Sequence, residues 1–249
     1  MTSPLYSIGD IHGDFAKLQD ILARIAADCA FPEATKQEIV FIGDLVDRQG
    51  KSHEVIEFLI NALEDGAPWT VLKGNHDRMF SLFFDDPFVQ DPMLRSDLTW
   101  LNPRLGGLTT LASYGVDIIT DQDPARLQNE ALRLVPKRHR DFLLDLASFY
   151  ETDGYFFAHA GINPELPLAG QSEDDLIWIR KPFHDHRGAY EKIIVHGHTP
   201  VDLVTHYGNR INIDTGAAYG GPLSAIVIDG DKVFELTENG RKLLEPVHV

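Results

Sequence analysis

Three short segments in the first third of the chain gather carboxylate, amide and imidazole groups just after a glycine. They are Gly9-Asp10-Ile11-His12-Gly13-Asp14, Gly43-Asp44-Leu45-Val46-Asp47-Arg48 and Gly74-Asn75-His76-Asp77. Their oxygen and nitrogen donors suit divalent metal ions. Two later histidine turns, Phe157-Ala158-His159-Ala160-Gly161 and Val195-His196-Gly197-His198-Thr199-Pro200, would complete sites that Asp10, His12, Asp44 and Asn75 begin. Two donor groups around one carboxylate suggest a pair of ions roughly 3.5 to 4 Å apart, which clamps both oxygens in a phosphoryl displacement. Asp44, between the other turns in chain order, is the natural bridge.

The elements that must present these residues are legible on either side of them. Leu5 to Ile8, Ile39 to Ile42 and Trp69 to Leu72 have the length and β-rich composition of buried strands. A helix bearing Phe15, Leu18, Leu22 and Ile25, capped by Asp14, follows the first turn. A second, with Ile56, Leu59, Ile60 and Leu63, runs from Ser52 to a stop near Gly66. The polar turns therefore fall at strand ends, the edge at which open α/β sheets bind ligands. From Met79 to about Tyr150 no strand is expected, and helices over Asp123 to Val135 and Pro136 to Tyr150 suggest an insertion over or beside the sheet. Strands return at Tyr155 to Ala158, Lys192 to Val195, Arg210 to Ile213, Leu223 to Ile228 and Lys232 to Leu236. The last two are joined by the hairpin signal Asp229-Gly230-Asp231.

Composition narrows the partners. With 38 acidic residues against 22 Lys and Arg, the net charge of -16 disfavours nucleic acid and anionic membranes. A phosphorylated substrate then needs locally placed positive charge. A hydrophobic fraction of 43% is ample for a core, and 249 residues allow one large domain or two small ones. The single cysteine, Cys29, excludes an intrachain disulfide and reads as a buried inert thiol on a helix. No basic leader and no membrane-length apolar run is evident, so a soluble cytoplasmic protein is expected.

Taken in order, Gly-Asp-x-His-Gly, Gly-Asp-x-Val-Asp-Arg, Gly-Asn-His-Asp, His-Ala-Gly and Gly-His-Thr-Pro resemble the calcineurin-like metallophosphoesterases from Ser7 to about Asp229. Asp47-Arg48 is similar to the phosphoprotein phosphatase branch, and Ile213-Asp214-Thr215-Gly216-Ala217 to its bacterial and phage members. The resemblance implies an α/β fold with a two-sheet β-sandwich core flanked by helices in four layers, a single domain over 1–249, and 79–150 as helical insertion. It gives one metal Asp10, His12 and the bridging Asp44, and the second Asp44, Asn75, His159 and His198. It pairs His76 with Asp47 as general acid and gives Arg48 and Arg180 to the phosphate oxygens. Two divalent ions are implied, Mn2+ foremost, with Fe or Zn suited to the same donors.

The chemistry is coherent from below. Water shared by two ions can have its pKa lowered from 15.7 towards ~7 and attack phosphorus in line. Arginines then stabilise charge on the equatorial oxygens, and a basic Ser or Thr alkoxide needs the acid His76. The expected activity is that of a phosphoserine/phosphothreonine protein phosphatase. A dinucleoside tetraphosphate or other polyphosphate hydrolase is the alternative, and a catalytically silent metal-binding or partner-binding module the third.

Other residues invite plainer readings. Arg180-Lys181 could be a solvated pair, and Trp178 reads as core rather than substrate platform. Tyr219 is either close to phosphate or a packing residue. His139 is expected on a solvated helix face, His184 and His186 in a solvent-facing polar loop, and His53, His206 and His248 carry no role. His196 falls where an apolar or basic residue is usual. Gln49 stands where the family has Gly, and since Gln tolerates positive φ poorly, the Asp47-Arg48 loop is expected to shift by a residue. Leu105-Gly106-Gly107 replaces a frequent Asn-Gly-Gly, a difference that bears on substrate recognition.

Overall fold

Strands buried on both faces should alternate their side chains between two cores, and those of this protein do. In the computed structural model, which describes residues 3–29 and 36–247, β1 (Leu5–Ile8) and β2 (Glu38–Phe41) are such strands. Tyr6, Ile8, Ile39 and Phe41 pack towards α1 (Phe15–Asp28) and α2 (Ser52–Glu64), whereas Leu5, Val40 and Ile42 face a second cluster with Phe157, Val195 and Ile211. Phe156 and Ile194 turn the other way, into a third cluster with Leu176 and Phe183. Three apolar clusters imply four layers: helices, sheet, sheet, helices.

The remaining elements, in chain order, are β3 (Trp69–Val71), α3 (Asn75–Asp85), α4 (Gly107–Ser113), α5 (Pro124–Leu134), α6 (Lys137–Asp145), β4 (Phe149–Glu151), β5 (Tyr155–Ala158) and α7 (Glu173–Trp178). They continue with α8 (Lys181–Asp185), β6 (Ile193–His196), β7 (Thr205–His206), β8 (Arg210–Asn212), β9 (Ala225–Asp229), β10 (Lys232–Thr237) and β11 (Gly240–Leu243). One sheet orders β11-β10-β9-β1-β2-β3 and the other β4-β5-β6-β8-β7. β1, β2 and β3 are parallel, as are β5, β6 and β8, so the turns leaving these strands gather at one edge of each sheet.

Several boundaries differ from expectation. The helix expected to reach Tyr150 stops at Asp145, and Phe149–Glu151 pairs antiparallel with β5 because aromatic and extended-favouring residues there find a sheet edge. β7 and β11 were not foreseen; both are short or polar edge strands, with little periodicity to reveal them. The third motif does not merely end a strand, since α3 begins at Asn75 itself. Cys29 is half-buried rather than buried, and its N–H closes α1 by donating to Ile25 O. Between α3 and α4 the chain forms no regular element, although Trp100 is held in place by stacking on Phe80 with ring centroids 5.1 Å apart. No helix among the described residues is long and apolar enough to cross a membrane.

Candidate metal centre

The turns reach one another because glycine lets two loops touch. A Cβ on Gly43, which has φ 98°, would lie 2.5 Å from Gly74 N, and one on Gly74 would lie 2.2 Å from Asp44 N. Asp77 locks this contact by accepting from Leu45 N and Gly74 N, both at 2.9 Å. The first turn is tied to the second by Ile11 N and His12 N, which both donate to Asp44 O.

Asp44 sits at the centre. One carboxylate oxygen, Oδ2, lies 3.4 Å from His12 Nε2, and the other, Oδ1, lies 3.4 Å from His159 Nε2. Oδ1 also accepts from His76 N at 3.0 Å, at the positive end of α3. On the His159 side, Asn75 Oδ1 is 3.0 Å from His159 Nε2 and 2.8 Å from His198 Nδ1, with the two histidine nitrogens 3.2 Å apart. On the His12 side, His12, Asp44 and His76 offer donors within 4.8 Å of one another, and Asp10 lines the same cavity. Asp10 Oδ2 accepts from His198 N, while its Oδ1 is buried with no partner.

This donor set fits a pair of divalent ions. His12 Nδ1 lies 3.0 Å from Val46 O and His159 Nδ1 3.0 Å from Ile42 O, so each ring gives its proton to a carbonyl and turns the Nε2 lone pair inwards. The orphaned Asp10 oxygen and the two-sided Asp44 carboxylate are what a cation would satisfy. His198 fits on one condition. Arg180 Nε donates to its Nε2 at 3.0 Å, so ligation through Nδ1 needs the proton on Nε2 and the guanidinium off it.

The electrostatics record the same crowding. Burial holds His12 down to about 3, and burial together with His159 holds His198 well below the usual imidazole range. Asp10 is pushed well above the carboxylate range by burial and by Asp214. For His159, burial is outweighed by Asp44 and Asp10, which hold its imidazole up at about 10; for Asp44, burial is outweighed by His159 and His76, which hold it well below the usual range. A proton on His159 stands where a metal would compete for the lone pair.

His76 and Asp47 form a second unit in the same cavity. His76 Nδ1 is 2.6 Å from Asp47 Oδ2, and its Nε2 is 3.3 Å from Arg48 Nη2. Asp47 is fully buried and held by two residues that had gone unnoticed in the sequence. Trp100 Nε1 donates to Oδ2 at 2.9 Å and Thr110 Oγ1 to Oδ1 at 2.7 Å. Both come from the insertion, and neither stands in a recognisable motif.

Among the described residues, five non-glycine residues adopt a left-handed backbone: His12, Asp44, Asp47, Arg48 and His198. All lie here. At roughly 1 to 2 kcal/mol each, such a backbone persists only where the surroundings over-determine it. Positive φ falls on Asp47 (73°) and Arg48 (68°) and not on Gln49, whose N donates to His12 O and Asp47 O.

The cavity holding these groups measures about 140 Å3 and opens, through Arg48, Leu105, Trp178, Arg180 and Tyr219, into a groove of about 690 Å3. Met93, Leu94, Arg95, Leu98 and Arg104 complete the groove. Arg180 is therefore not a merely solvated charge, and Trp178 does two things at once: half-buried, it packs against two of the apolar clusters and also lines the cavity wall, its ring edge-on to His198. Tyr219 is 67% exposed, too open for a packing residue, with the Arg48 guanidinium 4.8 Å from its ring centre. Asp214 also lines the cavity and accepts from Gly216 N. Arg95 pairs with Asp97, but among the described residues no carboxylate pairs with Arg48, Arg104 or Arg180.

Three other histidines differ from expectation. His139 is completely buried, not solvated. His184 and His186 are half-buried, and His184, on α8 rather than in a loop, is held down to about 4 by burial and by Arg210 and Arg180. His196 is buried against Phe183, and its Nε2 accepts from Arg210 at 3.1 Å. His206 is buried and accepts from Gly208 N, with no part in the cavity. His248 lies outside the described residues.

Residues 3–228 match the calcineurin-like phosphoesterase family. The chain belongs to that family. Among its relatives, the asymmetrical bis(5'-nucleosyl)-tetraphosphatase PrpE of Anoxybacillus flavithermus is 27% identical over 239 residues, 88% of each chain. Serine/threonine-protein phosphatase 2 of Escherichia coli is 27% identical over 230 residues, 88% of this chain and 90% of its own. The crystal structure of a protein assigned as a diadenosine tetraphosphatase superposes with a TM-score of 0.62 at 20% identity, covering 94% of this phosphoesterase and 93% of that chain. At that identity the likeness speaks for the fold. Family and relatives together make this phosphoesterase a metal-dependent phosphoric ester hydrolase.

Proposed function

We propose that this phosphoesterase hydrolyses dinucleoside polyphosphates or related nucleotide polyphosphates. The observation that carries this reading is the groove. An acidic protein here places Arg48, Arg104 and Arg180 without carboxylate partners beside Tyr219, Trp178 and Leu105, directly outside the small cavity. A single phosphate needs only the cavity, whereas a phosphate chain ending in a base needs cationic and aromatic surface beyond it. The preponderance of bis(5'-nucleosyl)-tetraphosphatases among the relatives supports the same substrate class.

In this reading Asp10, His12, Asp44, Asn75, His159 and His198 would hold two divalent ions, with Mn2+ the proposed activator in vitro. When bound, such ions polarise phosphoryl oxygens and make water nucleophilic at neutral pH. Arg48 and Arg180 bind and orient the phosphate, and Arg180 is freed for this as His198 takes its proton on Nε2. Asp47 fixes His76 through Nδ1, which leaves Nε2 to hold a proton for the departing oxygen. Trp100 and Thr110 keep Asp47 in place for that task.

A second reading, phosphoserine or phosphothreonine hydrolysis, draws on the His76–Asp47 pair, which suits a basic alkoxide, and on the E. coli relative. Initial rates with one metal on a dinucleoside tetraphosphate, a phosphoserine peptide and an aryl phosphate separate the two. The dinucleotide should give a kcat/KM at least about tenfold above the peptide, since base stacking alone contributes ~1–3 kcal/mol. A preference for the peptide would overturn the first reading.

A further inference from the structure

Outside the catalytic cavity, one more cluster among the described residues brings three metal-ligating side chains together: His53 and Glu57 of α2 and His139 of α6. We propose that these three form a further divalent-metal site of the two-histidine, one-carboxylate type, suited to Zn2+ and independent of the phosphoesterase centre. Two ligands four residues apart lie on one helical face, and a third from a packed neighbour completes a set that zinc takes in tetrahedral sites with a water or another donor.

The geometry goes beyond an ordinary helix-to-helix ion pair. Glu57 Oε2 lies 2.7 Å from His139 Nε2, which alone would serve as a staple. Yet His53 also turns its ring towards His139, with centroids 5.4 Å apart, and among the described residues that ring makes no hydrogen bond. Donors from all three residues lie within 4.8 Å of one another. His139 is completely buried, and its Nδ1 lies 3.0 Å from Tyr114 Oη. The Tyr114 hydroxyl oxygen can accept the Nδ1 proton. The Nε2 lone pair is then aimed at the cluster, the outer-shell arrangement that orients a metal-binding imidazole. The other Glu57 oxygen is held by Arg138.

A cation here would tie α2 to α6 beside the end of α4. His53 N donates to Ser113 Oγ of α4, and Ser52, the preceding residue, accepts from Asp47 N through its hydroxyl. The site would thus stiffen the base on which Asp47 rests, without touching substrate.

Zn2+ binding to the metal-stripped full chain, by equilibrium dialysis with elemental analysis, should give three ions per chain. H53A and H139Q should each give two. Because H139Q removes a buried ring and can fail to fold, H53A is the safer variant, and anomalous scattering at the zinc edge locates the ion directly. Zn2+ at 100 times its dissociation constant should raise Tm by about 5 to 10 °C more in the wild type than in H53A. Two ions in the wild type, three retained in H53A, or no anomalous peak between α2 and α6 would overturn the proposal.

Discussion

The small cavity and the groove outside it differ in almost every physical respect. In the cavity, the ligating side chains are buried and most are hydrogen-bonded on their far side, and five residues there carry a backbone bent where only glycine is comfortable. In the groove, Met93, Arg95 and Tyr219 stand open to solvent, and much of the lining comes from the irregular segment between α3 and α4. The contrast separates reaction from selection. Chemistry on phosphorus tolerates misplacement of a fraction of an ångström at most, so it is built on strand ends that three apolar clusters hold rigid. Recognition of whatever carries the phosphate needs surface and charge more than precision, and an irregular wall supplies them.

The largest test of this division is Asp44→Asn. Because both oxygens of Asp44 serve different donor groups, kcat should fall by about a thousandfold or more on every phosphate ester, polyphosphate or aryl alike. Retained turnover on any of them would mean that the cavity is not the reacting centre. His76→Asn should then show how the cavity meets different substrates. On a phosphoserine peptide, with its basic alkoxide, the loss should reach about 10² to 10⁴-fold, whereas on a polyphosphate, whose departing phosphate is a weaker base, the loss should be smaller. Equal losses in the two assays would remove His76 as proton donor.

Trp100→Phe sits on the boundary between the regions, because the insertion supplies this donor to a cavity carboxylate. Losing a hydrogen bond to a charged group should lower kcat about tenfold to a hundredfold with KM little changed, and alter the acidic limb of the pH profile. A change confined to KM would place Trp100 with the groove instead. Arg104→Ala belongs wholly to the groove. KM for a dinucleoside tetraphosphate should rise about tenfold, and that for a small aryl phosphate should stay within about twofold. Parallel changes in both would erase the distinction between cavity and groove.

The smallest effect concerns how the insertion is moored to α2. Burial lowers the His139 pKa below 6.5, and His139 and Arg138 hold Glu57 down at about 2. A lowered histidine contributes stability that is present above pH 6.5 and lost as pH falls below it. A lowered glutamate contributes stability that is present above 4.5 and lost as pH falls towards 2. Metal-free protein should therefore show Tm falling in two acid steps, with H139Q lacking the upper one; the difference should not exceed about 4 °C. Melting curves at intervals between pH 7.5 and 3.5 would show it.

Much of the cavity was legible beforehand because its residues sit in short motifs whose glycines, carboxylates and imidazoles must be adjacent in the chain. Asp10, His12, Asp44, Asn75, His159 and His198 converge in the structure as their positions at strand ends required. Alternating apolar runs likewise announced β1, β2, β3 and β5, since a strand buried on both faces cannot hide its composition. The polar or very short strands β4, β7 and β11 left no such trace.

By itself, then, the sequence determined the donor set that gathers in the cavity, because its spacing rules are local: a strand, a glycine, a donor, repeated. The tertiary structure alone decided that Trp100 and Thr110 anchor Asp47, that Tyr219 faces a groove rather than a core, that Trp178 joins the two, and that His53, Glu57 and His139 meet. The hydrogen bonds among these join residues 53 to 82 positions apart on separate helices and loops. No local pattern encodes them, and only the packing of the insertion against α2 and α3 brings them within reach.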